Sequence, residues 1–259
     1  MTQADLTHSI LQRPQTNDIP KRVFIAGASG GIGQAFCEQL ILQYPDIDII
    51  RMARKPELLP EISNVSESIA FDLLDEVSLQ TAVGQLSVSR QIDWVFIATG
   101  WLHDEAYQPE KTYRTLGSAQ LMQSYALNAV GPTLLVKALL EHFPKQQSMK
   151  IGILSARVGS TSDNRLGGWH SYRASKAALN MLIKNYAIEL QRMKRPVVIC
   201  GLQPGTTDTK LSEPFQRNVS AKDLQTPAYT AKQLIKVMQA LEPEDSGLLF
   251  DFLGVKFEP

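Results

Sequence analysis

Tyr172 and Lys176 stand four residues apart in His170-Ser171-Tyr172-Arg173-Ala174-Ser175-Lys176-Ala177-Ala178, a spacing that puts both side chains on one face of a helix. A phenol of pKa about 10 is a poor acid–base catalyst at neutral pH. A nearby ammonium favours the phenolate and brings that pKa toward the working range, while its remaining protons can hydrogen-bond a ribose. The pair therefore suits proton transfer to or from an oxygen. Spacing alone also fits an exposed pair on a surface helix. Tyr107 and Lys111 repeat the spacing, but Pro109 between them disfavours a continuous helix, and that pair is set aside as a loop coincidence.

A second motif gives the pair a partner. Gly27-Ala28-Ser29-Gly30-Gly31-Ile32-Gly33 follows an apolar run and opens a helical pattern. Glycines allow a tight turn and let backbone N–H groups approach a pyrophosphate, with the helix N-terminus supplying partial positive charge. The usual Rossmann spacing is G-x-G-x-x-G, whereas the glycines here read G-x-x-x-G-x-G with Gly30 extra. An acid about 20 residues further on would bind a ribose diol, and an arginine there favours a 2′-phosphate. The next apolar run ends Met52-Ala53-Arg54-Lys55, with Asp46 and Asp48 only at its start. Arg54 thus points to NADP(H) over NAD(H), against the plainer reading of a solvated basic turn.

These motifs need elements to hold them. β-branched runs at 22–26, 47–52, 68–71, 94–98, 150–154, 196–202 and 247–252 alternate with helical patterns at 32–44, 77–86, 118–143, 171–192 and 230–241. Ile32, Phe36, Leu40 and Tyr44 recur every four residues along one helix face. Val23-Phe24-Ile25-Ala26 is apolar throughout, as a strand covered on both faces should be. The alternation predicts one doubly wound, Rossmann-type α/β domain over 21–259, with a parallel sheet of about seven strands and helices on both faces. Residues 1–20, polar with Pro14 and Pro20, read as a flexible or loosely docked extension. Gly131-Pro132 should bend the first long helix.

Composition narrows the function. Of 259 residues, 44% are apolar, and 26 Lys+Arg balance 26 Asp+Glu. That balance argues against a general nucleic-acid or membrane binder. No apolar run approaches the roughly 20 residues of a membrane span. The first residues lack the pattern of a secretory signal. Cys37 and Cys200 offer no disulfide framework, so a cytoplasmic location is the default. His8, His103, His142 and His170 have no metal-ligand spacing, and His103-Asp104-Glu105 reads as a polar loop, so no metal is expected.

Glycine turn, sheet pattern and Tyr-x-x-x-Lys together resemble the classical short-chain dehydrogenase/reductase family over residues 21–259. Gly27, Gly31 and Gly33 match its T-G-x-x-x-G-x-G, with Ala26 replacing threonine. Asp72-Leu73 matches the pair that borders adenine. Ala98 and Gly100, in Ala98-Thr99-Gly100, stand where the family has N-N-A-G. Asn128 matches the asparagine of its catalytic tetrad, and Pro204-Gly205-Thr206-Thr207-Asp208-Thr209 its P-G-x-x-x-T turn. The nearest-looking subgroup includes C-factor-like signalling proteins and Sniffer-like carbonyl reductases, judged from Ser155–160 and Asp163-Asn164-Arg165-Leu166-Gly167-Gly168-Trp169.

The resemblance implies reversible hydride transfer between NADP(H) and a small carbonyl or alcohol. Tyr172 would be the proton donor, Lys176 its pKa modifier and ribose anchor, and Asn128 the holder of a water. The turn residues Gly27, Ser29, Gly30, Gly31, Ile32 and Gly33 would hold the cofactor. So would Arg54, Asp72, Leu73, Ala98, Gly100, Asn128, Tyr172, Lys176, Pro204, Gly205, Thr207 and Thr209. One departure weakens activity: Ala156 stands where the family's serine belongs, with Ser155 and Ser160 as candidate replacements. This motivates the alternative of a C-factor-like nucleotide-binding regulatory protein with little or no turnover. The family's substrate lid falls at 210–222, where Leu211 and Phe215, with Trp101 and Trp169, suit an apolar pocket. Its dimer-forming helices fall at 118–143 and 171–192, implying a homodimer or homotetramer.

Overall fold

The computed structural model describes residues 9–14 and 19–259. Seven strands form one parallel sheet: β1 (Arg22–Ala26), β2 (Asp48–Ala53), β3 (Val65–Ala70), β4 (Trp94–Ile97), β5 (Met149–Leu154), β6 (Val197–Gln203) and β9 (Leu249–Asp251). Their order is β3-β2-β1-β4-β5-β6-β9. The chain runs outward from β1 to β3, then returns to β4 on the other side. This reversal opens a crevice beyond the C-terminal ends of β1 and β4, where ligands of such sheets lie. Two-residue strands β7 (Thr206–Thr207) and β8 (Leu224–Gln225) pair separately above it.

Helices cover both faces: α1 (Gly31–Gln43) and α6 (Pro227–Ala240) on one, α2 (Glu76–Gly84), α4 (Gly131–His142) and α5 (His170–Arg192) on the other. Alternate strand residues feed the two cores. Val23, Ile25 and Phe96 pack toward α1 and α6, and Phe24, Val95 and Ile97 toward α4 and α5. Phe36 of α1 stacks on Phe96 of β4 at 3.8 Å between ring centroids, tying the first helix to the centre of the sheet.

The long helix expected at 118–143 is interrupted. An α-helix α3 (Ser118–Tyr125) passes through one π-turn (Ala126–Val130) into α4. Pro132 carries no N–H, so the carbonyl of Asn128 lacks its α-helical donor and the ladder widens. The irregularity thus begins one turn before the bend expected at Gly131-Pro132, and it contains Asn128.

Within the N-terminal extension, residues 9–13 dock on the C-terminal segment. Ile10, 4% exposed, enters the core between α6 and the C-terminal segment. The Ser9 hydroxyl donates to the carbonyl of Leu253 at 2.5 Å. Arg13 grips the buried carboxylate of Asp245 through two nitrogens at 2.6 and 3.0 Å. These partners lie more than 230 residues away, where local periodicity carries no information about them.

Candidate active site

The glycine turn joins β1 to α1 as the spacing requires. Gly27 adopts φ +82°, and a side chain there would meet the backbone of Ala98 and Thr99 at 3.0 Å. A Cβ on Gly33 would lie 2.3 Å from the carbonyl oxygen of Gly27, so only glycine lets α1 seat this close to its strand. Gln34 N–H makes the helix's first bond, to the carbonyl of Gly30 at 2.8 Å. The N–H groups of Gly31, Ile32 and Gly33 before it therefore have no partner within the helix. Gly30 caps the helix with no side-chain bond, and Ser29, Gly30 and Gly31 are exposed. The turn is open to an anion.

Other expected cofactor residues follow the C-terminal ends of strands of the same parallel sheet. Arg54 is exposed just beyond β2 and has no hydrogen-bond or ion-pair partner among the described residues. Arg51, three residues earlier, is buried and committed to Ser68 and the carbonyl of Pro60. Leu73 is buried against Gly131. Asp72 beside it accepts the N–H of Leu74 at 2.9 Å. Ala98 extends β4 by donating to the carbonyl of Ala26 at 2.8 Å. The Thr99 hydroxyl is buried with no hydrogen-bond partner, which sequence reasoning missed. Gly205 turns the chain at φ +73°, and the methyl of Thr209 lies against Gly31. Thr207 is turned inward, its hydroxyl sharing a bond with Thr230 at 2.9 Å. Only the backbone of Thr207 is left to meet a ligand.

Tyr172 sits in the first turn of α5 and Lys176 one turn on, 2% exposed. The Lys176 ammonium donates to the carbonyl of Leu154 at 2.8 Å and lies 5.9 Å from the Tyr172 ring centroid. At Gly100 the missing side chain leaves a gap toward which Lys176 Nζ, Asn128 Oδ1 and Leu211 Cδ1 converge, each about 4 Å from where a Cβ would stand. Burial acts on the two titrating groups in opposite senses. It pushes the phenol up to about 12 and the amine down to about 8. The expected lowering of the phenol by its neighbour is thus outweighed, because removing the phenolate from water costs more than an ammonium beyond the ring returns.

The Asn128 side chain is fully engaged. Its Nδ2 donates to the carbonyl of Trp101 (2.8 Å), Ser124 Oγ (3.2 Å) and Ser175 Oγ (3.1 Å), and Oδ1 accepts from Trp101 N–H at 2.7 Å. The carbonyl of Asn128 lacks its α-helical donor, because Pro132 has no N–H. Both candidate replacements for the serine missing at Ala156 have partners of their own. Ser155 Oγ donates to Asn180 Oδ1 at 2.6 Å on the buried side of the sheet. Ser160 Oγ lies 3.2 Å from Ser162 Oγ and accepts the N–H of Asp163 at 3.2 Å.

Aromatic rings close the mouth. Trp169 meets Tyr172 at 6.2 Å and Phe215 at 5.0 Å, and Phe215 meets His103 at 5.4 Å. The polar loop residue Asp104 fixes Trp101 through its indole N–H at 3.1 Å and accepts the N–H groups of Ala106 and Tyr107 at 2.9 Å. Among the described residues no three His, Cys, Asp or Glu side chains gather as a metal site. Nor is any helix long and apolar enough to cross a membrane.

This fold and crevice are those of a known family. The short chain dehydrogenase family profile matches residues 21–220, and the chain belongs to that family. It is an oxidoreductase of the kind that uses a nicotinamide cofactor and a small-molecule substrate. The C-signal protein of Myxococcus xanthus is 30% identical over 138 residues, 53% of this chain and 78% of that one. An NADPH-bound carbonyl reductase from chicken fatty liver superposes with a TM-score of 0.78 at 21% identity, covering 92% of this chain and 99% of that one. The carbonyl reductase Sniffer of D. melanogaster gives 0.78 at 19% identity, with the same coverage of both chains.

Proposed function

We propose that the protein transfers hydride between NADP(H) and a carbonyl or alcohol, with Tyr172 giving or taking the proton. The observation that carries this reading is the convergence of Lys176 and Asn128 on the gap at Gly100, with the Lys176 ammonium 5.9 Å from the Tyr172 ring. The glycine turn opens on the same crevice. A dinucleotide fits the residues present. The N–H groups of Gly31 to Gly33 would meet its pyrophosphate, Arg54 a 2′-phosphate, and Asp72 and Leu73 would flank the adenine. Ala98 and Gly100 leave room for a ribose, near the orphaned hydroxyl of Thr99. Gly205 and the backbone of Thr207 and Thr209 would border the nicotinamide end. When bound, that cofactor supplies or accepts the hydride.

Tyr172 does the proton work. With its pKa pushed up to about 12, the phenol is protonated at neutral pH and ready to donate to the oxygen of a carbonyl being reduced. With a cofactor bound, Lys176 would hold a ribose through the protons it does not give to Leu154, and Asn128 would hold the water that links it to solvent. Trp169, Phe215 and His103 shield the reacting oxygen from bulk water. The test is NADPH oxidation against a panel of aldehydes, ketones and quinones. Turnover on at least one supports the reading.

A second reading draws on Ala156 and on the committed hydroxyls of Ser155 and Ser160. It is a nucleotide-binding regulatory protein related to C-signal, for which NADPH binding without turnover on any of the panel is the expected result. Under either reading, exposed apolar residues Met122 and Tyr125 on α3, Val130, and Met181 and Ile188 on α5 are suited to pairing two copies as a homodimer or homotetramer. The thiols of Cys37 and Cys200 are free and buried, which suits the cytoplasm.

A further inference from the structure

Helix α5 starts without a cap of its own. Its N-cap residue is Trp169, held at φ +50°, with no side-chain bond to the helix. The missing acceptors come from Glu110, in the loop between β4 and α3. This carboxylate is 2% exposed. Its Oε2 accepts the N–H of Ser171 at 3.2 Å, and its Oε1 accepts the Ser171 hydroxyl. Its own carbonyl accepts the N–H of Trp169 at 2.5 Å. A residue 61 positions upstream thus holds both Trp169, whose ring faces Tyr172, and Ser171, its immediate neighbour. From the other side Ser124 Oγ donates to the carbonyl of Ser171 at 3.1 Å, and Asn128 Nδ2 donates to Ser124. An acid suits this place because the orphan N–H groups and dipole of a helix start favour negative charge.

We infer that Glu110 is a positioning residue for Tyr172. It fixes the height and rotation of the first turn of α5, and so the distance from phenol to Lys176 and to the reacting oxygen. Acid–base chemistry is sensitive to such placement, a 1 Å error costing on the order of 10² in rate. The inference rests on the proposed activity for its kinetic arm, and its structural arm stands alone.

The experiment compares Glu110→Gln and Glu110→Ala in the full chain. A glutamine carbonyl accepts the Ser171 N–H and its amide donates to the Ser171 hydroxyl, so both contacts survive without the charge. Glu110→Gln is expected to keep kcat within about threefold, and Glu110→Ala to lose about tenfold or more with the KM for NADPH nearly unchanged. Hydrogen exchange should quicken at the amides of residues 171–174 in the alanine variant and stay unchanged at 180–190. If the alanine variant does not fold, Ser171→Ala takes its place, with a smaller loss of kcat at constant KM. The inference is overturned by a folded replacement variant with unchanged kcat, by parallel loss of kcat and NADPH affinity, or by exchange that quickens along the whole helix. If no carbonyl is turned over by the unaltered protein, the exchange pattern alone decides for or against Glu110.

Discussion

Lys176 Nζ and the carbonyl oxygen of Leu154 are 2.8 Å apart, and that bond joins the expected catalytic helix to the C-terminal end of β5. It is also the only hydrogen bond the buried ammonium makes to the described residues, so the charge is poorly compensated. Burial lowers the pKa of Lys176 from 10.5 to about 8. Between those values the unfolded chain holds a proton that the folded chain has lost, and stability rises with pH across that window. Below pH 8 the whole cost of charging is present.

Lys176→Met should therefore be more stable than the parent at pH 7, by about 1–3 kcal/mol once the lost bond to Leu154 is set against the relieved charge. The advantage should shrink as pH approaches 10. Urea unfolding at both pH values checks this, and an advantage that does not change with pH contradicts it.

Tyr172 predicts an asymmetry between the two reaction directions. With the phenol pushed up to about 12, the proton-donating form persists across neutral and mildly alkaline pH. Alcohol oxidation needs the phenolate, so its rate should climb with pH, while carbonyl reduction should show no loss attributable to this group below pH 10. Profiles of kcat in both directions measure the difference.

Ala156 leaves the reacting oxygen one donor short, because Ser155 is bonded to Asn180 and Ser160 to its own loop. One donor of this type is worth about 10²–10³ in rate in other enzymes. Ala156→Ser should raise kcat by about tenfold or more with little change in KM. An unchanged or lower kcat would show that the fold has no use for a hydroxyl there.

Arg54 is exposed just beyond β2 and has no partner among the described residues. Arg54→Ala should weaken NADPH binding by about 10–100-fold, the worth of a charged hydrogen bond, and leave NADH binding nearly unchanged. Equal losses for both cofactors would remove the 2′-phosphate from its role.

The sheet was legible because most of its strands, β3 excepted, are apolar on both faces and its helices repeat every three to four residues. Each of the seven runs at 22–26 through 247–252 became a strand of the sheet. The Gly27–33 turn was legible because a tight approach demands glycine wherever it occurs. What escaped was set by partners far away in sequence. Ile10 and Arg13 dock on segments more than 230 residues on. Thr207 turns toward Thr230. Glu110 lay inside the discarded Tyr107…Lys111 spacing, without a role of its own, and holds Ser171. The π-turn at Ala126–Val130 was half visible: Pro132 announced a disturbance, but the ladder opens on the preceding turn, where the carbonyl of Asn128 loses its donor. The phenol's pKa was misjudged because spacing reports a neighbour's charge and not the depth at which both groups are buried.

The central claim is that the hydroxyl of Tyr172 carries the proton. Tyr172→Phe removes that oxygen and keeps the ring against Trp169. NADPH oxidation by this variant, measured beside NADPH affinity, should fall by at least about 10² while affinity stays within about twofold. Turnover equal to the unaltered protein's would contradict the account.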